Sequence, residues 1–327
     1  MSASASIYPW HKGVWQQVQA ARTQQHLPHA LLFSGQDGCG HEVFVQVLAQ
    51  SLLCLQPDAE GMACGQCRSC HVFVSKAHPD FTQVSVPEDK QVIGVDQIRV
   101  LGHFLELSCS YSPCRVAVIM GAEHMNVNAA NSLLKPLEEP SAHSHILLFS
   151  LKPAELLPTV RSRCQLLRLP LPSHSEAIHW LEQKNPVQAP ELLLKLANGK
   201  PLAALAQDSG EKLMQRLLFL QQLAALLSGK AVLSELSAHW EKQPRAELLD
   251  WQLQWLHAVW RGRYSGAGEG GQDAEALFDV CVAISNRGLW GLYERLLELK
   301  PLAAHPLNAR LFVEKMLSLW LQVRATP

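Results

Sequence analysis

The first half of the chain is punctuated by short, nearly unbroken apolar runs with helically periodic stretches between them. His29-Ala-Leu-Leu-Phe-Ser34, Phe81 to Val86, Arg115-Val-Ala-Val-Ile-Met120 and His145-Ile-Leu-Leu-Phe-Ser150 read as strands, with Cys164 to Leu169 as a fifth. His11 to Gln25, Gly40 to Leu55, Val95 to Leu107 and Asn126 to Leu137 repeat apolar residues at helical spacing. A strand with one wet face alternates apolar and polar residues. A continuous apolar run belongs to a strand covered on both faces, the situation of parallel strands joined by helical crossovers. The expectation is an α/β domain with a parallel five-stranded sheet over residues 1–169.

The pattern then changes. Pro170-Leu-Pro172 closes the unit, and Ser173 is placed to cap a helix over Ser175 to Lys184. A second helix, Pro190 to Ala197, stops at Asn198-Gly199, so residues 170–208 read as a small helical domain. Residues 209–327 are rich in Leu, Ala, Gln and Trp and read as an all-helical domain, interrupted from Gly262 to Gly271 by five glycines, predicted to form a mobile loop. Trp251, Trp255 and the leucines between them recur at helical spacing. That favours packing over base stacking for the tryptophans at 240, 251, 255, 260 and 290.

Hydrophobic residues at 48% supply real cores, and a formal charge of −1 excludes a protein that grips duplex DNA by basic surface alone. No run of 18 apolar residues or signal-peptide pattern appears, so a cytoplasmic location without membrane contact is expected. In a reducing compartment the nine cysteines need an explanation other than disulfides.

Gly35-Gln-Asp-Gly-Cys-Gly40-His41-Glu42 follows a strand and opens a helix. Through Gly35, Gly38 and Gly40 this is the spacing of a phosphate-binding loop, in which backbone N–H groups and a helix N-terminus cradle an anion. The next two places should hold lysine and a magnesium-binding hydroxyl. His41 is shorter and mostly neutral near pH 7. Glu42 adds negative charge where a triphosphate would lie. Two unit charges about 4 Å apart repel by roughly 4 kcal/mol at an effective dielectric near 20. The third strand should end in acidic residues; Val118-Ile-Met120-Gly121-Ala122-Glu123 has an apolar residue and a glycine there, with Glu123 two residues late. The expectation is that this chain binds no ATP.

Cys54, Cys64, Cys67 and Cys70 have the spacing C-x9-C-x2-C-x2-C. Four thiolates complete a closed tetrahedral shell for structural zinc, within a module of about 54–76. Free thiols or a redox pair are the alternatives. His71 reads as a surface neighbour, and Cys39, Cys109, Cys114, Cys164 and Cys281 lack ligand spacing.

Four landmarks together resemble the clamp-loader branch of the AAA+ family. They are the phosphate-loop remnant, a four-cysteine insertion in the following helix, Asn128-Ala-Ala-Asn-Ser-Leu-Leu-Lys-Pro-Leu-Glu-Glu-Pro140, and Thr159-Val-Arg-Ser-Arg-Cys164. The resemblance implies an AAA+ (RecA-like) first domain, a helical lid, and a C-terminal collar in a five-subunit ring. Its implied partners are ATP-hydrolysing motor (gamma/tau) subunits, a clamp-opening delta subunit, the sliding clamp and primed DNA. Active motors of this family keep the lysine and acidic pair that this chain lacks. Gly199-Lys-Pro-Leu202 also stands where Gly-x-x-Arg would. Ser162-Arg163-Cys164 matches the triplet whose arginine acts in trans on a neighbour's ATP, so Arg163 is the implied arginine finger of a non-catalytic stator.

Read without the resemblance, Arg161 and Arg163 are solvated loop charges or members of sheet-edge salt bridges. Lys135, Glu138 and Glu139 read as an exposed helix end. Two other functions stay open: an active AAA+ ATPase with an atypical site, and a zinc-dependent DNA-binding adaptor.

Overall fold

The computed structural model describes residues 6–324 apart from 198, 207, 209–210, 266–280, 282–283 and 306–307. The chain divides into two compact units, Met1–Lys184 with Gly199–Ala203, and Asn185–Asn198 with Ala204–Pro327.

The first unit is built on five parallel strands, β1 (Ala30–Ser34), β2 (Phe81–Val84), β3 (Arg115–Met120), β4 (Ser144–Ser150) and β5 (Gln165–Arg168), in the order β2-β3-β4-β1-β5. Side chains alternate faces along a strand, and here both faces are covered. Leu31, Phe33, Val116, Val118, Leu147 and Phe149 enter one core, with α1 (Lys12–Thr23) and α2 (His41–Leu53). Ala30, Leu32, Ala117, Ile119, Ile146 and Leu148 enter the other, with α4 (Val95–Glu106) and α5 (Val127–Glu138). This double burial is the physical cause of the apolar runs.

A buried ionic network fastens the amino ends of β2 and β3. Asp80 is fully buried and accepts the backbone N–H groups of Ser110, Tyr111 and Ser112 at 2.6–2.9 Å. Arg115 lies 3.4 Å from its carboxylate and donates to the Ser108 and Pro79 carbonyls. Burial pushes the Asp80 carboxyl upward, but the three N–H donors and Arg115 outweigh it and hold it below the usual carboxylate range. Asp80→Ala strands a buried guanidinium and three donors, and should cost about 3–5 kcal/mol of stability, read as a lower denaturant midpoint. Because the folded-state value is depressed, this contribution is present above about pH 4 and drains away as pH falls through the folded-state value. The acid limb of stability should therefore flatten in Asp80→Asn.

In the second unit the helices Glu211–Leu227, Leu233–Trp240, Arg245–Ser265, Asn286–Leu299 and Ala309–Arg324 surround one core. Trp240, Trp251 and Trp255 are buried there, the last two as their spacing predicts. Phe219 stacks on Trp255 with centroids 5.6 Å apart, and Trp240 donates to Gln222. Trp290, by contrast, is 55% exposed. The helix through Trp255 continues to Ser265, so the predicted break does not begin at Gly262. One glycine in a helix costs only about 1 kcal/mol, and Arg263 on the same turn donates to the Cys281 and Ile284 carbonyls. The rest of the predicted loop, residues 266–271, lies outside the described residues.

Candidate functional site: a closed phosphate loop and a cysteine module

The glycine loop leaves the carboxyl end of β1, the position where open parallel sheets bind ligands. Gly38 and Gly40 have φ of 75° and 80°, and Gly40 is the N-cap of α2. The space that these glycines leave is taken up by the chain itself. A Cβ on Gly40 would fall 2.0 Å from the Tyr8 ring, and one on Gly35 would fall 2.2 Å from the His41 imidazole. Gly38 meets Lys200 and Ala203, and the Leu202 N–H donates to the Gly38 carbonyl at 3.2 Å. Leu202 therefore brings backbone, not a guanidinium, to the loop.

His41 does not reach outward as a lysine would. It is 2% exposed, stacks on Phe149 and lies 5.0 Å, centroid to centroid, from the fully buried His11. Neither ring nitrogen of His11 has a hydrogen-bond partner, whereas the backbone of Gln36 and Leu169 borders the His41 ring. Burial pushes both imidazoles below their ordinary range, and with the added effect of His41 brings His11 to about 3. Both rings are uncharged at neutral pH, so the loop has no fixed cation from this position. Tyr8 stacks on Trp10 at 5.0 Å, Trp180 packs edge-on against both, and Trp10 donates to the Cys39 carbonyl at 2.9 Å. Glu42 is exposed in the first turn of α2, where a carboxylate suits the helix dipole.

At the end of β3, Met120 is half-buried and Gly121 turns the chain with φ 69°. Glu123 accepts the Leu151 N–H at 3.1 Å, which makes it a cap for the chain leaving β4.

The four cysteines come together. Their sulfurs all lie within 4.8 Å of one another, with Cys54–Cys64 at 3.6 Å and Cys54–Cys67 and Cys64–Cys70 at 4.0 Å. Four sulfurs at about 2.3 Å from one tetrahedral ion would be separated by about 3.8 Å, so the cluster is close to the spacing that a metal requires. Gly61 and Gly65 take left-handed φ of 77° and 69° in the connecting turns. The N–H groups of Cys64, Cys67 and Cys70 point at the sulfurs of Cys54, Cys64 and Cys67. Burial pushes the thiols of Cys54 and Cys70 up, whereas at Cys67 donors from Cys70 and Leu55 outweigh burial and bring the thiol down to about 6, toward the thiolate a metal needs. The module follows α2, because Cys54 is that helix's C-cap, and its short helix α3 (Arg68–Val74) carries Cys70.

No residue spacing announces how the module is held to the sheet. Ser69 and Ser112 both donate to the Leu53 carbonyl, at 2.7 and 2.9 Å, and both touch His78 Nε2. His78 Nδ1 accepts the Asp80 N–H, so the proton is assigned to Nε2 and every polar atom is satisfied with a neutral ring. His71 is exposed, and so is Cys109.

Arg163 follows the short helix α6 (Pro158–Arg161). Its guanidinium donates to the Thr159 carbonyl at 2.9 Å and pairs with Glu138 at 2.5 Å. Ser162 Oγ donates to the same Thr159 carbonyl. Cys164 is half-buried against the core beneath α5, and burial pushes its thiol up to about 11.

A parallel sheet in which an inner strand, β1, feeds a glycine loop and a helix N-terminus makes this unit an α/β domain of the phosphate-loop class. A family model described as DNA polymerase III, delta subunit, matches residues 10–173. The delta' subunit of DNA polymerase III from Pseudomonas aeruginosa is 36% identical over 269 residues, 81% of either chain. That of Haemophilus influenzae is 34% identical over 254 residues, 77% of this chain and 76% of that one. A gamma subunit-related protein of DNA polymerase III from Thermotoga maritima aligns in structure over 94% of this chain and 99% of that one, at 17% identity and a TM-score of 0.46. The chain belongs to the family of DNA polymerase III delta' subunits. Among the described residues no helix is long and apolar enough to cross a membrane.

Proposed function

We propose that this chain is the stator of a sliding-clamp loader: it hydrolyses no ATP itself and offers Arg163 to the ATP of an adjacent motor subunit. The observation that carries the reading is the closed phosphate loop. Its glycines are covered by Tyr8 and His41, the position of the expected lysine holds a buried, uncharged imidazole, and β3 ends without an acidic pair. A triphosphate would have to displace this packing and would then meet Glu42 with no lysine at position 41 to offset it.

In this reading residues 1–169 form the motor-like domain, 170–208 the lid, and 209–327 the collar that joins the ring. The four cysteines hold zinc. A closed shell of four thiolates is the donor set of structural zinc, and it leaves no coordination position for a substrate. The partners are the motor (gamma/tau) and delta subunits and, through the complex, the clamp and primed DNA. By itself the Arg163–Glu138 pair is also what a structural salt bridge would look like; the Ser162-Arg163-Cys164 triplet favours the trans role.

Reconstitution tests the reading. Mixed with purified motor and delta subunits, the chain should enter one stable complex that loads clamps onto primed DNA. Failure to join that complex while binding DNA alone would point to the adaptor instead.

A further inference from the structure

We infer that Glu138 is a positioning residue for Arg163, holding its guanidinium at the end of α5 so that the arginine is presented to a neighbour in one orientation. This rests on the proposed trans role of Arg163 and deepens it. A carboxylate in the last turn of a helix faces the negative end of the helix dipole, so on its own Glu138 is badly placed. The lysine of that same turn does not relieve it, because Lys135 reaches across to Glu106 at 3.4 Å. The relief comes from Arg163, 25 positions later, whose Nη2 lies 2.5 Å from Glu138 Oε1.

The second anchor fixes the plane. Arg163 Nη1 donates to the Thr159 carbonyl at 2.9 Å, so the guanidinium is held at two points and its remaining N–H groups stay free of both. The side chain is still 36% exposed, so it is held but not sequestered. An exposed pair contributes little to folding, so the carboxylate can be removed without unfolding the subunit. What its removal frees is the arginine's rotamers, which a motor's phosphate would then have to order anew.

The test is a double-variant cycle in the reconstituted loader, with ATP turnover read as kcat and KM, together with 15N relaxation of the Arg163 Nε–H group in the isolated chain. Glu138→Ala should reduce kcat by about three- to tenfold with KM and assembly unchanged. Glu138→Gln, which keeps an acceptor oxygen, should restore most of it. Arg163→Ala with Glu138→Ala should be no slower than Arg163→Ala alone, and the Arg163 side chain should become mobile in Glu138→Ala. If Arg163→Ala slows turnover but Glu138→Ala does not, or if the two effects add, the positioning role is overturned and the trans arginine stands. If Arg163→Ala has no effect, the trans reading falls and the positioning role with it, whatever the relaxation shows.

Discussion

Arg163→Ala in the assembled loader should lower ATP turnover at the motor site facing this subunit by about 10³–10⁵-fold, the range that a trans arginine supplies in other phosphoryl transferases. The reason is electrostatic. Charge spreads over the transferring phosphoryl oxygens in the transition state, and a preorganised guanidinium in a water-poor interface stabilises it without reorganising. Arg163 is suited to this because it is tethered to Thr159 and Glu138 while staying partly exposed. The variant should fold and assemble normally, since the residue contributes to no core. Bulk ATPase averages over every motor site in the loader, so it should fall less than the facing site does. Single-turnover measurement with only that motor site intact isolates the effect. Unchanged single-turnover rates would remove Arg163 from the mechanism.

Removing the metal should have the largest effect on the structure. The chain should purify with about one zinc ion, and Cys67→Ser should abolish that stoichiometry. Apparent binding free energies of structural zinc in small domains are about 10–16 kcal/mol at pH 7, more than a module this short can replace with packing. Residues of about 54–76 should open, α3 should unwind, and the link from Trp15 Nε1 to the Glu60 carbonyl should be lost. The sheet should survive. Asp80, Arg115 and the buried members of both cores lie outside the module, which adds only Met62 and Phe73 at the margin of one core, and Ser112 still reaches the Leu53 carbonyl when Ser69 is gone. Protease cutting confined to the module, with a largely retained circular dichroism signal, is the expected readout. Because the ligands are thiolates, zinc should also be released as pH falls. Unaltered protease resistance in a zinc-free variant would mean that the cysteines are a packing cluster.

Strands and cysteines were legible because each leaves a local pattern. β3 spans the very residues of its apolar run, Arg115 to Met120, since both faces of that strand are covered. The cysteine set could be recognised from the short turns between its members, which limit where the sulfurs can go. The closure of the phosphate loop was only half legible. The missing lysine, hydroxyl and acidic pair are absences that can be read off, but Tyr8, Trp10, His11 and Trp180 have no spacing that announces where they pack. The Trp10 ring reaches a carbonyl 29 positions away. Arg115 opens an apolar run and Asp80 stands 35 positions before it, so no local pattern marks the buried ion pair that they form. In sequence, Glu138 is no more than an exposed helix end. Its partner lies beyond a strand and a turn, and only the fold brings the two together.

Equilibrium dialysis of labelled ATP against the purified, isolated chain, with and without magnesium, puts the central claim to its most direct test. The closed loop predicts no saturable binding up to millimolar nucleotide. Micromolar, magnesium-dependent binding that is lost when His41 or Gly38 is replaced would show that the loop opens to take fuel, and would contradict the account of this chain as a subunit that serves only its neighbours' hydrolysis.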